Sequence, residues 1–257
     1  MKEPKGWRDT GARRAAAKRF SPSRSASASW SPWNYVESTR DLSLSWFYLL
    51  PLLGLYEWGI RRSGVPLRNA AEVILKDVVG LAGPWSACFH YLFLAGSLVA
   101  AADVWRRRLP YLRIYPLFLV ECLLWAALLG PLLRWVTGGL ALGSLSGSDL
   151  LLSLGAGIYE EVVFRLLLVG GGYFILCYAL GLGAVSSLAV VVVGSSVLFA
   201  AYHHWGPFGE PLENAAFLFR VLAGAVLALL FVFRGLGVAA YMHASYDLLL
   251  DLQRSSG

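Results

Sequence analysis

From residue 42 to residue 251 the chain offers one apolar run after another, each close to the length a helix needs to cross a bilayer. A soluble domain of 257 residues would also need a polar surface, which this region barely supplies. With 57% hydrophobic and only 15% charged residues, the expected fold class is all-α. The chain reads as a polytopic membrane helix bundle of about seven to eight transmembrane helices.

The formal net charge of +6 is concentrated at the start. Lys2, Lys5, Arg8, Arg13, Arg14, Lys18, Arg19, Arg24 and Arg40 face only Glu3, Asp9 and Glu37 there. This Arg-, Ala- and Ser-rich stretch has no sustained apolar face, so residues 1–41 are expected to form a basic, disordered cytoplasmic tail. It carries no zinc-ligand pattern or RNA-binding strand signature, so anionic membrane lipid is the expected partner and nucleic acid is not. The first long apolar run starts near Leu42 and leads into Arg61 and Arg62 without a small-residue cleavage site, a pattern unlike a secretory signal. Cys88, Cys122 and Cys177 stand singly in different apolar stretches and read as buried free thiols.

Taken in order, crossings are expected at 42–60, 79–102 and 113–136, with a short interfacial helix over 61–77 and a Gly- and Ser-rich loop at 138–148. Pro51 is a candidate kink in the first crossing, and Arg106, Arg107 and Arg108 at the end of the second should face the cytoplasm. Glu121, alone in the third, is weighted towards a structural role. A fourth block runs from 149 to about 180 and is long enough to tilt or to kink at Gly170–Gly172. Crossings at 184–204, 213–233 and 236–251 follow. Seven crossings from an internal amino terminus put Glu160 and His203 in the outward half of the bilayer, although Arg61, Arg62, Arg68 and Lys76 would then lie outside, against the usual charge bias.

Ionisable groups inside hydrocarbon need a structural or chemical reason, and the late segments hold Glu160, Glu161, Arg165, His203, His204, His243 and Asp247. Residues four apart share a helix face, which relates Glu161 to Arg165, Phe199 to His203, and His243 to Asp247. Adjacent residues point about 100° apart, so Glu161 can lock the helix through Arg165 while Glu160 faces a cavity. Glu160 suits a general base acting on water, with His203 holding the same water. His243 suits a donor to the developing oxyanion, and Asp247 can hold its ring or donate when protonated.

Other readings stay open. Polar groups alone can be interhelical glue. Ser153, Ser186, Ser187, Ser195, Ser196 and Ser245 offer hydroxyls, but none sits in GxSxG. Glu160, His203 and His243 would make a workable zinc set with one open position, although no HExxH is present.

These residues also carry a family resemblance. Glu160-Glu161-Val162-Val163-Phe164-Arg165 matches an EExxxR motif, Phe199 to His203 an FxxxH motif, and His243 to Asp247 an Hxxx(N/D) motif. In order and separation they resemble the CPBP family, the CAAX proteases and bacteriocin-processing enzymes, also described as glutamic-type intramembrane proteases. The resemblance covers about 149–251, the motif-bearing core of a protease domain expected over 42–257. It implies hydrolysis of a peptide bond near the C-terminus of a membrane-associated or lipidated protein or peptide.

Catalytic roles would fall to Glu160, His203, His243 and Asp247, with Glu161, Arg165, Phe199 and His204 in support. The implied enzyme needs no cofactor, zinc being the alternative, and would sit in a bacterial inner (cytoplasmic) membrane with its amino terminus inside. Eukaryotic prenyl-protein members carry Asn where this chain has Asp247, and ionised Asp cannot donate as Asn does. A transporter or bacteriocin-immunity protein using the same buried charges is the non-enzymatic alternative.

Overall fold

The computed structural model describes residues 32–63, 68–81, 89–136, 150–205 and 209–255. Among the described residues lie nine helices and no strand. They are α1 (Pro32–Arg40), α2 (Leu42–Ser63), α3 (Ala70–Leu81), α4 (Phe89–Arg106), α5 (Tyr111–Val136), α6 (Leu150–Ala179), α7 (Ala184–Tyr202), α8 (Asn214–Arg234) and α9 (Leu236–Ser255). By length and composition, α6, α7, α8 and residues Tyr111–Leu133 of α5 can each cross a membrane.

At the centre is α9, which packs on α2, α5, α6 and α8. Leu236, Val238, Ala239, Ala240 and Met242 are all 1% exposed or less. A helix that meets protein on every side need not be apolar throughout, which is how α9 can carry His243 and Asp247. Its small residues let neighbours come close, the usual basis of helix association where lipid removes the hydrophobic drive. Gly157 of α6 is the closest such seat, since a Cβ there would fall 2.6 Å from the Ala244 Cβ and 2.7 Å from the Ala240 carbonyl oxygen. Around α9, aromatic rings fill the remaining space, with Phe118 5.0 Å from Tyr241 and 4.7 Å from Tyr48.

The bundle has two polar ends. At one, Arg107 forms paired bonds to Asp41 at 2.7 and 2.8 Å, and Ser43 donates to Asp103 at 2.9 Å. At the other, Glu72 is fully buried and accepts from Tyr56 at 2.5 Å, from Arg68 at 2.6 Å and from Lys76. The candidate site lies near this second end.

Several expectations are corrected. Residues 32–40, assigned to the tail, form α1 and dock: Tyr35 donates to Glu121, Arg234 grips the same carboxylate at 2.6 and 2.7 Å, and the Arg234 guanidinium lies 5.0 Å from the Tyr35 ring centre. Glu121 thus has the structural role given to it. Residues 1–31, the loop at 138–148 and Cys88 lie outside the described residues. The interfacial helix expected over 61–77 starts only at Ala70, because α2 continues through Arg61 and Arg62 to Ser63. The crossing expected at 79–102 divides between α3 and α4. The helix continues through Gly171 and Gly172, which keep helical angles of −64°, −45° and −61°, −44°. Much of α6 is wound in the wider i→i+5 manner, a form frequent at functional sites.

Gly155, Gly157 and Gly224 each seat a neighbouring helix or loop closely, whereas nothing lies within 4 Å of a Cβ at Gly194. Gly157→Ala is expected to lower stability by about 1–3 kcal/mol through overpacking. Gly194→Ala should instead raise it by about 0.5–1 kcal/mol through helix propensity. Thermal unfolding of both variants in detergent compares the two effects directly.

Candidate active site

Three helices and one loop bring the site together. Glu160, Glu161 and Arg165 come from α6, His203 from the end of α7, His243 and Asp247 from α9, and Asn69 from the connection into α3. A cavity of about 1110 Å³ is lined by Asn69, Glu160, His203, His243 and Asp247 on its polar side, with Leu129, Leu152, Phe219, Leu227 and Leu250 among its apolar walls. All four residues expected to be catalytic therefore face one space.

The deepest part is a charged column. Arg165 and Glu161 are 1% and 0% exposed, and Arg165 Nη1 lies 2.9 Å from Glu161 Oε1. The guanidinium also stands 4.4 Å from the centre of the Phe199 ring and sends Nη2 towards the Gly224 carbonyl at 3.4 Å. Arg suits this position because its flat, weakly hydrated cation can stack and pair at once. Glu161 Oε1 then meets His243 Nδ1 at 2.8 Å. An ionised carboxylate only accepts, so His243 Nδ1 carries the proton and Nε2 is turned towards the cavity. That nitrogen lies 3.5 Å from Asp247 Oδ2 and 4.0 Å from Glu160 Oε2.

Asp247, read as either holding the His243 ring or donating, lies 3.5 Å from Nε2, and it is Glu161 that meets the ring at hydrogen-bond distance, at the opposite nitrogen. Glu160 and Glu161 part as expected, Glu161 to Arg165 and Glu160 to the cavity, and both also flank the same imidazole, one at each nitrogen. Phe199 shelves the assembly, its ring 4.8 Å from His203 and 5.8 Å from His243. His203 Nδ1 is 2.8 Å from the Phe199 carbonyl, which can only accept. The proton therefore sits on Nδ1, leaving the Nε2 lone pair free to accept. His204 turns elsewhere, with Nδ1 donating to the Glu210 carbonyl at 3.0 Å while Glu210 N–H donates back to the His203 carbonyl at 3.0 Å. It fastens the α7–α8 connection.

Further polar residues line the cavity beyond those the sequence marked, Asn69, Asp251 and Arg220 among them. Asn69 donates Nδ2 to Glu160 Oε1 at 3.1 Å. Asp251 accepts from Ser153 at 2.9 Å, and Arg220 pairs with Glu210 at 2.7 Å. Asp251 had a signal, its place one turn beyond Asp247. Asn69 had none, standing about 90 residues before the motif it serves. Among the nucleophile candidates, Ser195 and Ser196 donate to the Val192 carbonyl within their own helix. Among the described residues no three His, Cys, Asp or Glu side chains are grouped to hold a metal ion, so the Glu160, His203 and His243 set does not fit zinc as it stands.

Removing Arg165 should strand a buried carboxylate. Arg165→Met is expected to cost about 3–5 kcal/mol, and Arg165→Met with Glu161→Gln to recover a large part of it. Chemical denaturation of the two variants beside the unmodified chain provides the check.

A family model described as type II CAAX prenyl endopeptidase, Rce1-like, matches residues 119–249, about half of the chain. The matched span runs from α5 into α9 and contains Glu160, Glu161, Arg165, His203, His243 and Asp247, while Asn69 stands outside it. Searches of curated proteins and of solved structures returned no match. With its four membrane-length apolar helices, the chain is an integral membrane protein of the CAAX-protease type. It belongs to the Rce1-like type II CAAX prenyl endopeptidase family.

Proposed function

We propose that this protein is an intramembrane endopeptidase that hydrolyses a peptide bond near the C-terminus of a membrane-associated or lipidated protein. The observation that carries the reading is the convergence of Glu160, His203, His243 and Asp247 on one cavity of about 1110 Å³. Its apolar walls suit a lipid-anchored or membrane-embedded chain, and its polar side suits water and a peptide carbonyl.

In this mechanism, Glu160 takes one proton from water while the other is held by the lone pair of His203 Nε2. The water oxygen attacks the carbonyl carbon, and the carbonyl oxygen becomes an oxyanion. His243, protonated at both nitrogens, keeps Nδ1–H on Glu161 and directs Nε2–H at that oxyanion. The carboxylates of Glu161 and Asp247, at 2.8 and 3.5 Å, supply its counter-charge. Asp247 stands 3.5 Å from Nε2 as its charge partner before substrate arrives. Glu160 then returns its proton to the leaving nitrogen as the C–N bond breaks, releasing a carboxylic acid and an amine. No step passes through a metal.

The membrane unit is proposed to run from residue 42 to the end of α9, with α1 docked on it. Helices α2 and α4 to α9 would cross the bilayer, and the end bearing Arg106, Arg107 and Arg108 would be cytoplasmic. The cavity, near the opposite end, would then receive a substrate anchored in the outer half. Reporter fusions after residues 108, 182 and 235 should read as cytoplasmic and those after 145 and 208 as external. The reverse pattern would invert the site.

Glu160→Gln and His203→Ala are each expected to reduce turnover of a fluorogenic peptide ending in a prenylated CAAX sequence by at least about 100-fold, without loss of folding. Rates and thermal unfolding of the purified variants test this. Full turnover in either one removes it from the water-activating pair.

A further inference from the structure

Asn69 makes two different hydrogen bonds with the two halves of one amide. Its Oδ1 accepts from the Ala71 N–H at 2.9 Å, which caps the start of α3. Its Nδ2 donates to Glu160 Oε1 at 3.1 Å. The residue is 7% exposed, and its own N–H is tied to the Tyr56 hydroxyl at 3.2 Å. Tyr56 in turn donates to Glu72, which Arg68 and Lys76 also engage. The donor is therefore held by a cap, a phenol and a buried ion cluster. It has little freedom to move.

Room for it comes from α6. A Cβ at Gly155 would lie 2.9 Å from the Asn69 Cβ and 2.7 Å from the Tyr56 ring. Gly155 stands five residues before Glu160, where α6 passes into i→i+5 winding, so the glycine opens the space under the carboxylate that Asn69 enters. With Oε1 occupied, Glu160 keeps Oε2, which has no hydrogen-bond partner and lies on the side of His243.

We infer that Asn69 is a positioning residue: it holds one oxygen of Glu160 so that the other is the oxygen presented to water. This rests on the reading of Glu160 as general base. It also gives α2 and α3, outside the family match, a part in the chemistry.

The two halves of the amide can be separated. Asp caps a helix as well as Asn does, so Asn69→Asp keeps the bond to Ala71 and replaces the donor facing Glu160 with an acceptor. With the prenylated CAAX peptide and the full-length protein in detergent, N69D is expected to lower kcat about 10- to 100-fold, the range for losing one hydrogen bond to a charged group. KM should stay within about 2-fold; the retained cap supports Tm while the second carboxylate beside Glu160 lowers it, so the split that is read is kcat against KM. Asn69→Ala, which loses both bonds, should lose Tm as well.

A purely structural Asn69 predicts the opposite, an N69D enzyme with the turnover of the unmodified chain. That result, or a kcat that falls only in step with Tm across both variants, overturns the inference. E160Q measured alongside separates the two claims. Turnover retained in E160Q defeats the general base itself, whereas an inactive E160Q beside an unimpaired N69D defeats only the role given to Asn69.

Discussion

A guanidinium with almost no solvent contact sets the terms for the rest of this structure. Arg165 is expensive to bury, and it is held by a carboxylate at 2.9 Å, an aromatic face at 4.4 Å and a backbone carbonyl at 3.4 Å. Each partner comes with a constraint. Glu161 must share its Oε1 with His243, Phe199 must stand between α6 and the histidines, and Gly224 must bring α8 within reach of Ser196, whose Cα lies 3.1 Å from a Cβ built at that glycine. One cation thereby fixes the relative depth of α6, α7, α8 and α9.

The close approach of α6 and α9 completes what that column begins. Lipid tails are as apolar as the helices, so association depends on contact and on hydrogen bonds rather than on water release. Gly157 against Ala240 and Ala244 supplies the contact, and Glu161 with His243 supplies the bond. The result is a wall of carboxylates and imidazoles beside a space lined otherwise by leucine, phenylalanine and methionine. Charges in such surroundings are screened less than at a surface, so small displacements of these groups carry large electrostatic consequences.

The two ends of the bundle are treated differently. At one, α1, Glu121, Arg234 and the Asp41–Arg107 pair make a structural clamp. Gly235 belongs to it: its φ of +94° turns α8 into α9, and a Cβ there would strike the Thr39 carbonyl at 2.3 Å. At the other, the ion cluster around Glu72 ends in Asn69 and so in Glu160. The same residue types give rigidity at one end and orientation at the other.

By itself the sequence determined the helical class, the approximate helix limits from α5 to α9 and which ionisable side chains those helices carry. These follow from local facts, namely the length of apolar runs and the sharing of a face by residues four apart, as in Glu161 with Arg165. What only the tertiary structure decided lies between residues far apart in the chain. Glu161 rather than Asp247 holds His243 across 82 positions, and Asn69 reaches Glu160 across 91. The end of the expected tail becomes α1, where Tyr35 meets Glu121 across 86 positions. No periodicity records such pairings, and the two made by α6 need glycine at 155 and 157 to let the neighbouring segments come within bonding distance.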